Sequence, residues 1–318
     1  MILSRVADGL YWMGRYLERA ENITRLLLVT EDFSTETQGL AEDLAQTAWK
    51  DMLTIFPSAQ LTRDITPFAP LAVPYLQAFF TDQANAYSIL VSIRKARENA
   101  RSVREALTLE VFLALNEAFR ALEAYERKGM PDLPAFRDAL SATHKGIFTV
   151  VGAIEHTSTR DEGWRFLKLG ESLERSYRSA LVLHTKLPAL LAAEARGDAP
   201  LYYTQWRTLL RGLSSLENYR RVYGARLEPN LVIGFLLFDA DSPRSLRYGA
   251  SIVRDYLAAI SGPAELTAPA RIIGKLHADL RYDDEAQMRR GDFAGLLDRV
   301  VGELAKTHDA IATQYFVT

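Results

Sequence analysis

Glutamate and arginine recur in this chain at spacings that bring them within reach of one another. In "GRYLERAENITR" (14–25), Arg15, Glu18, Asn22 and Arg25 fall at i, i+3, i+7 and i+10, one stripe of an α-helix, and Glu21 can pair with Arg25. "GESLERSYR" (170–178) repeats the device, with Glu171–Arg175 and Glu174–Arg178 as i,i+4 partners. "RKARENARSVREAL" (94–107) sets Arg97, Arg101, Arg104 and Glu105 along a third stripe, with Arg94–Glu98 and Arg101–Glu105 at pairing distance. On an exposed helix each such pair adds roughly 0.3–0.5 kcal/mol. Small residues flank both glutamate runs (Gly14 and Ala20, Gly170 and Ser176) and permit close helix approach. Arg outnumbers Lys in these stretches, which suits partly buried bidentate pairing. Glu18 and Glu174 are therefore expected to meet arginines of a neighbouring helix, Arg97 or Arg101 in the first half. Such a network fixes helix register more than it adds net stability. The alternative chemistry is a site for an anionic, phosphorylated or aminoacylated substrate.

Complete catalytic sets are missing. There is no G-x-G-x-x-G, no H-E-x-x-H and no G-x-S-x-G, and "IIGKLHAD" (272–279) has Gly-Lys without the rest of a phosphate loop. Cysteine is absent, which removes thiol catalysis, disulfides and thiolate metal ligands. The five histidines (His144, His156, His184, His277, His308) lack metal-ligand spacing, so no metal site is expected. "DADSPRSLRYG" (239–249) brings Arg244, Ser245 and Arg247 to a helix entrance, where an anion could bind. The commoner arrangement there is a cap by Ser242 with Pro243 opening the helix.

The elements that must position these residues read as helices. Apolar stripes run Leu10, Met13, Leu17, Ala20, Thr24, Leu27, then Phe166, Leu169, Leu173, Ser176, Ala180, Leu183, and again Leu90, Ile93, Ala96, Ala100, Val103, Leu107. "VIGFLLF" (232–238) is compatible with helix or strand, and its neighbours favour helix. Pro- and Gly-rich stretches at 56–74, 128–134, 196–200, 239–245 and 261–270 are expected loops. The chain has 318 residues, 48% hydrophobic and 25% charged, with formal net charge −2, so nothing biases it toward nucleic acid or anionic membrane. No apolar run is long enough to span a bilayer, and Arg5 and Asp8 interrupt any signal core, so the cytoplasm is expected.

One offset relates the two halves. Glu18 and Glu174 lie 156 apart (174 − 18), as do Gly14 and Gly170, and Trp49 and Trp206, Asp82 and Asp239, and Ser88 and Ser245 lie 157 apart. The expectation is an all-α, internally duplicated bundle with two pseudo-symmetric halves sharing a core: a first repeat at 1–155, and a second at 156–318 with a helical extension.

"MILSRVADGLYWMGRYLERAENITRLL" resembles the opening of the bacterial alpha-E domain family, named for its helices and Glu-Arg motif. "ARENARSVREALTLEVFLALN" (96–116), "GWRFLKLGESLERSYRSALVL" (163–183) and "LLFDADSPRSLRY" (236–248) resemble its further motifs. This chain departs from the family pattern at Ala86, Phe112, Glu171 and Tyr177. The resemblance points to Glu18, Arg19, Glu21, Asn22, Arg97, Glu98, Asn99, Arg101, Arg104, Glu105, Glu174, Arg175 and Arg244 as its binding or structural network. It implies a non-catalytic accessory or binding subunit of an ATP-grasp amide (peptide) ligase system that makes or modifies peptides. The implied partner is a circularly permuted ATP-grasp protein, with a transglutaminase-like peptidase and a proteasome-like hydrolase in the same system. ATP and Mg are then expected on the partner, with no cofactor in this chain. Two other readings stand beside it: the chain is itself an amidoligase or transferase component acting through its Glu/Arg cluster, or it is a structural homo-oligomeric scaffold.

Overall fold

The computed structural model describes residues 2–58, 72–130, 132–194, 199–262, 266–282 and 284–316. The described residues form fourteen α-helices and no strand, so the chain is all-α. It divides into two compact units, Met1–Glu171 and Ser172–Thr318.

The first unit is built around α1 (Ser4–Glu36), a helix of 33 residues buried on nearly every side. Its apolar stripe from Leu10 to Leu27 is in the core, as the spacing predicts. Its charged stripe is buried as well, so α1 is an axis rather than an amphipathic surface helix. Around it pack α2 (Glu42–Ile55), α3 (Ala72–Phe80), α4 (Ile89–Ser102) and α6 (Leu133–Thr157). A 3₁₀ turn at Arg104–Ala106 leads from α4 to α5 (Leu109–Lys128), which pairs with α6 as an antiparallel hairpin. Ser88, Thr108 and Asp132 cap α4, α5 and α6 by accepting from the amides of Val91, Val111 and Ala135.

Helix α7 (Glu162–Glu194) starts in the first unit and continues into the second. Its first turns cross α1 at the closest approach that two helices allow. A Cβ placed on Gly14 would lie 2.1 Å from the Leu167 carbonyl oxygen, and one on Gly170 would lie 2.0 Å from the Tyr11 carbonyl oxygen. Only glycine fits at both points, because backbone meets backbone there.

The second unit holds the rest of α7, then α8 (Ala199–Gly212), α9 (Leu216–Tyr223), α10 (Pro229–Phe238), α11 (Leu246–Ser261), α12 (Ala268–Tyr282), α13 (Asp284–Arg290) and α14 (Phe293–Tyr315). Helix α12 packs between α11 and α14, while α10 meets α8, α9, α11 and α13. The ambiguous 232–238 segment is helical, with Pro229 in the first turn and Val232, Ile233 and Phe235 to Phe238 buried. The stripe from Phe166 to Leu183 is also buried.

Certain local expectations are corrected. The helix expected to run through 107 ends at Ser102, where Val103 leaves helical geometry (φ −124°, ψ 32°). Leu107 then turns extended and half-exposed. Residues 72–74 and 268–270, expected in loops, open α3 and α12 instead. The intervening 59–71, 196–198 and 263–265 lie outside the described residues. At 239–245 the loop is as expected, but its cap is Ser245, which accepts from Tyr248, and not Ser242. Pro243 is an exposed turn residue. The cap at Ser245 matches Ser88, and both turns carry an aspartate that accepts an amide two residues on, Asp82 from Ala84 and Asp239 from Asp241.

Candidate functional site

Glu18 and Glu21 of α1 each bond the side chain four residues on in the same helix. The Asn22 side-chain amide donates to the Glu18 carboxylate at 2.8 Å and to the Glu18 carbonyl at 2.7 Å. Arg25 donates to both oxygens of Glu21, at 2.9 and 3.1 Å, and to the Asn22 side-chain amide oxygen at 2.6 Å. Glu18, Glu21, Asn22 and Arg25 are each 5% exposed or less. A charge buried this deeply persists only when paired and hydrogen-bonded, and that is what the i,i+4 spacing provides. The expected Glu21–Arg25 pair is therefore present, and so is Glu174–Arg178 in the second unit, at 2.9 Å with Glu174 fully buried.

The α4 residues are arranged differently. Ile93, Ala96 and Ala100 face the core, which turns Arg97 and Arg101 away from it. Arg97 donates to Asn116 at 2.6 Å and stacks 4.7 Å from the Phe119 ring, so it braces α5 and does not meet Glu18. Arg101 is exposed. Neither supplies the cation expected beside the α1 glutamates. The Arg94–Glu98 and Arg101–Glu105 pairs are also absent: Arg94 bonds Gln83, and the break after Ser102 moves Glu105 off the helical turn above Arg101. Arg104, on the 3₁₀ turn, bonds the Leu107 carbonyl and lies 4.6 Å over Phe112. Glu98 and Glu105 are exposed and Asn99 is half-buried. Arg175 lies on α7 and Arg244 in the loop before α11, both half-buried in the second unit.

Some participants have no signature in the sequence. His144 of α6, isolated in the chain, places Nε2 3.2 Å from the Glu21 carboxylate, with its ring against exposed Phe148. Lys168 joins Glu155 at 2.6 Å and Glu171 at 2.5 Å. Burial works against the charge on Lys168, yet the two carboxylates and their hydrogen bonds outweigh it and hold its pKa above the ordinary value. The i,i+3 spacing of Lys168 and Glu171 signalled half of that triad; Glu155, on another helix, could not be read. In the second unit, Arg254 grips Asp255 and donates to Nδ1 of buried His277 at 2.9 Å. Burial, followed by Arg254, Arg281 and Arg247, lowers the His277 pKa against the pull of Asp255. Because a guanidinium only donates, Nδ1 is the acceptor in the contact with Arg254.

Two of the clefts among the described residues lie elsewhere. One of about 300 Å³ in the first unit is bounded by Glu31, Thr35, Gln46 and Leu133. One of about 490 Å³ in the second is bounded by Tyr223, Phe235, Phe238 and Arg289. No residue of the expected Glu/Arg network lines either. Among the described residues, no group of three or more His, Asp or Glu side chains is arranged to hold a metal ion. No helix among them is long and apolar enough to cross a membrane.

Comparison with known proteins gives one family and no function. Uncharacterized proteins of Mycobacterium bovis and of two Mycobacterium tuberculosis strains are each 28% identical to this chain over 324 residues, a match covering 96% of the chain and 35% of theirs. The chain thus spans about a third of the length of these curated relatives. No solved structure matches it. The Alpha-E model, described as a predicted alpha-helical domain with a conserved ER motif, matches residues 2–316. Matched over nearly its whole length, and with Glu-Arg steps at 18–19 and 174–175, the chain belongs to the Alpha-E family.

Proposed function

We propose that this chain is a non-catalytic accessory or binding subunit of an ATP-grasp amide (peptide) ligase system in the cytoplasm. A circularly permuted ATP-grasp protein would supply ATP, Mg and the bond-forming chemistry. The observation that carries this reading is the state of the motif residues. Glu18, Glu21 and Glu174 are buried and already engaged by Asn22, Arg25 and Arg178, which supports a framework role over a reacting one. The 35% coverage of the longer relatives supports a module that works beside other parts. An internal duplication is also part of this reading. It is supported by α1 and α7 at 33 residues each, α2 and α8 at 14 each, and the matched serine caps at Ser88 and Ser245.

The test is reconstitution. The chain is co-expressed with an ATP-grasp protein encoded beside it, the complex is isolated, and ATP-dependent amide formation on peptide acceptors is measured with and without this chain. A stable complex with activity raised by the chain is expected. No complex together with equal activity would sink the reading.

One observation favours a second reading, in which the chain is itself a transferase component. The half-buried His144 ring places Nε2 3.2 Å from the Glu21 carboxylate, a contact that would orient the ring for proton transfer. Activity of the isolated chain that is lost in His144→Gln would establish it.

A further inference from the structure

The two letters of the Glu-Arg motif separate in the first unit. Glu18 turns inward, whereas Arg19 comes to the half-exposed side of α1, where its guanidinium lies 5.1 Å from the Tyr16 ring and 5.5 Å from the Tyr87 ring. Tyr16 stacks on Trp12, one turn earlier, with centroids 5.4 Å apart and planes at 28°. The Lys95 ammonium of α4 sits 5.5 Å over the same Tyr16 ring, and the Arg15 guanidinium lies 5.1 Å from Trp12. Asp8 accepts from the Trp12 indole and fixes that ring. The result is an aromatic strip edged by cations, drawn from α1, α4 and the loop between α3 and α4.

Lys95 sets the ligand's charge. It is half-buried, and its ring contact brings it no carboxylate among the described residues. An ammonium in that position gains from a bound anion. The rings offer apolar area at low entropic cost, and the Arg19 guanidinium between Tyr16 and Tyr87 adds positive charge to the same face.

We propose that the Trp12–Tyr16–Arg19–Tyr87–Lys95 face docks an acidic peptide segment, with a carboxylate on Lys95, its charge favoured by the nearby Arg19, and its aliphatic stems on the rings. The proposal goes beyond the accessory-subunit reading and rests on it only in taking the polyanion to be a peptide.

Calorimetric titration of the full chain with an amidated hexaglutamate peptide, and with the matching hexaglutamine peptide, tests it. Hexaglutamate binds and hexaglutamine does not, and binding weakens as salt is raised. Lys95→Gln and Arg19→Gln each weaken binding by about tenfold, the worth of one charge-assisted contact. Lys95→Gln lowers the melting temperature by no more than about a degree or two, because it breaks no ion pair and gives up one ring contact of a half-buried side chain, so its loss of binding is not a loss of fold. Arg120→Gln, an exposed arginine on α5, binds like the parent. Equal binding of the two peptides, or unchanged binding by both Lys95→Gln and Arg19→Gln, overturns the proposal. So does inorganic phosphate that displaces hexaglutamate at equal charge concentration, since the face would then be a general anion site. The same variants, tested for complex formation with the ligase, report separately on the accessory-subunit reading.

Discussion

At the scale of single residues, the chain uses charge as internal scaffolding. Removing one member of a buried pair strands the other, and this costs more than the pair itself contributes. Glu21→Ala should therefore destabilise the protein by about 3–5 kcal/mol in urea unfolding, since buried Arg25 loses its carboxylate and keeps only Asn22, and His144 loses its contact with Glu21. Arg120→Ala, on an exposed face, should change stability by less than about 0.5 kcal/mol. His277 gives a pH-dependent counterpart. Its folded pKa lies below the ordinary 6.5, so between that lowered value and 6.5 the unfolded chain takes up a proton that the folded ring refuses. Stability present above pH 6.5 is lost as pH falls through that window, and His277→Gln should flatten this limb of an acid unfolding series. The pairs within one helix, Glu21–Arg25 and Glu174–Arg178, were legible because helical spacing alone brings the groups together. His144 on Glu21, and Asn116 on Arg97, were not: each contact joins residues far apart in sequence, and an isolated histidine or asparagine gives no sign of its partner.

At the scale of elements, the Gly14–Gly170 crossing controls how α1 and the start of α7 can pack. Gly14→Ala and Gly170→Ala each force backbone away from backbone, and each should lower stability by about 3 kcal/mol or more, seen as a large fall in melting temperature. Gly152, whose added Cβ would meet nothing within 4 Å, is the matched control, and alanine there should be neutral or slightly stabilising. The stripes on α1, α4 and α7 were readable because a period of 3.6 survives in any buried helix. The break after Ser102 was not, since Arg104 and Glu105 continue a helical pattern of charge while Val103 and Leu107 take other backbone geometry. The cap at Ser245 was missed for a similar reason. Ser242-Pro243 is a strong start signal, but the turn closes through the Asp239 side chain and delays the helix by three residues.

At the scale of the whole molecule, the all-α class followed from the lack of alternating patterns and the frequency of helical ones. Far-ultraviolet circular dichroism should show a helix-dominated spectrum, and a strong β contribution would contradict the architecture. Function was the least legible level, because the glutamates that stand out in the sequence, Glu18, Glu21 and Glu174, are buried against residues of their own helices. The tryptophans carry one further consequence. Trp49 and Trp206, 157 residues apart, are both fully buried, with indole N–H groups that find no acceptor, while Trp12 and Trp164 are half-exposed. The protein thus has two kinds of chromophore: one shielded and emitting from apolar surroundings, the other open to iodide. Quenching should separate the emission into a blue, protected component and a red, accessible one. Light from Trp12, on the proposed docking face, belongs to the second.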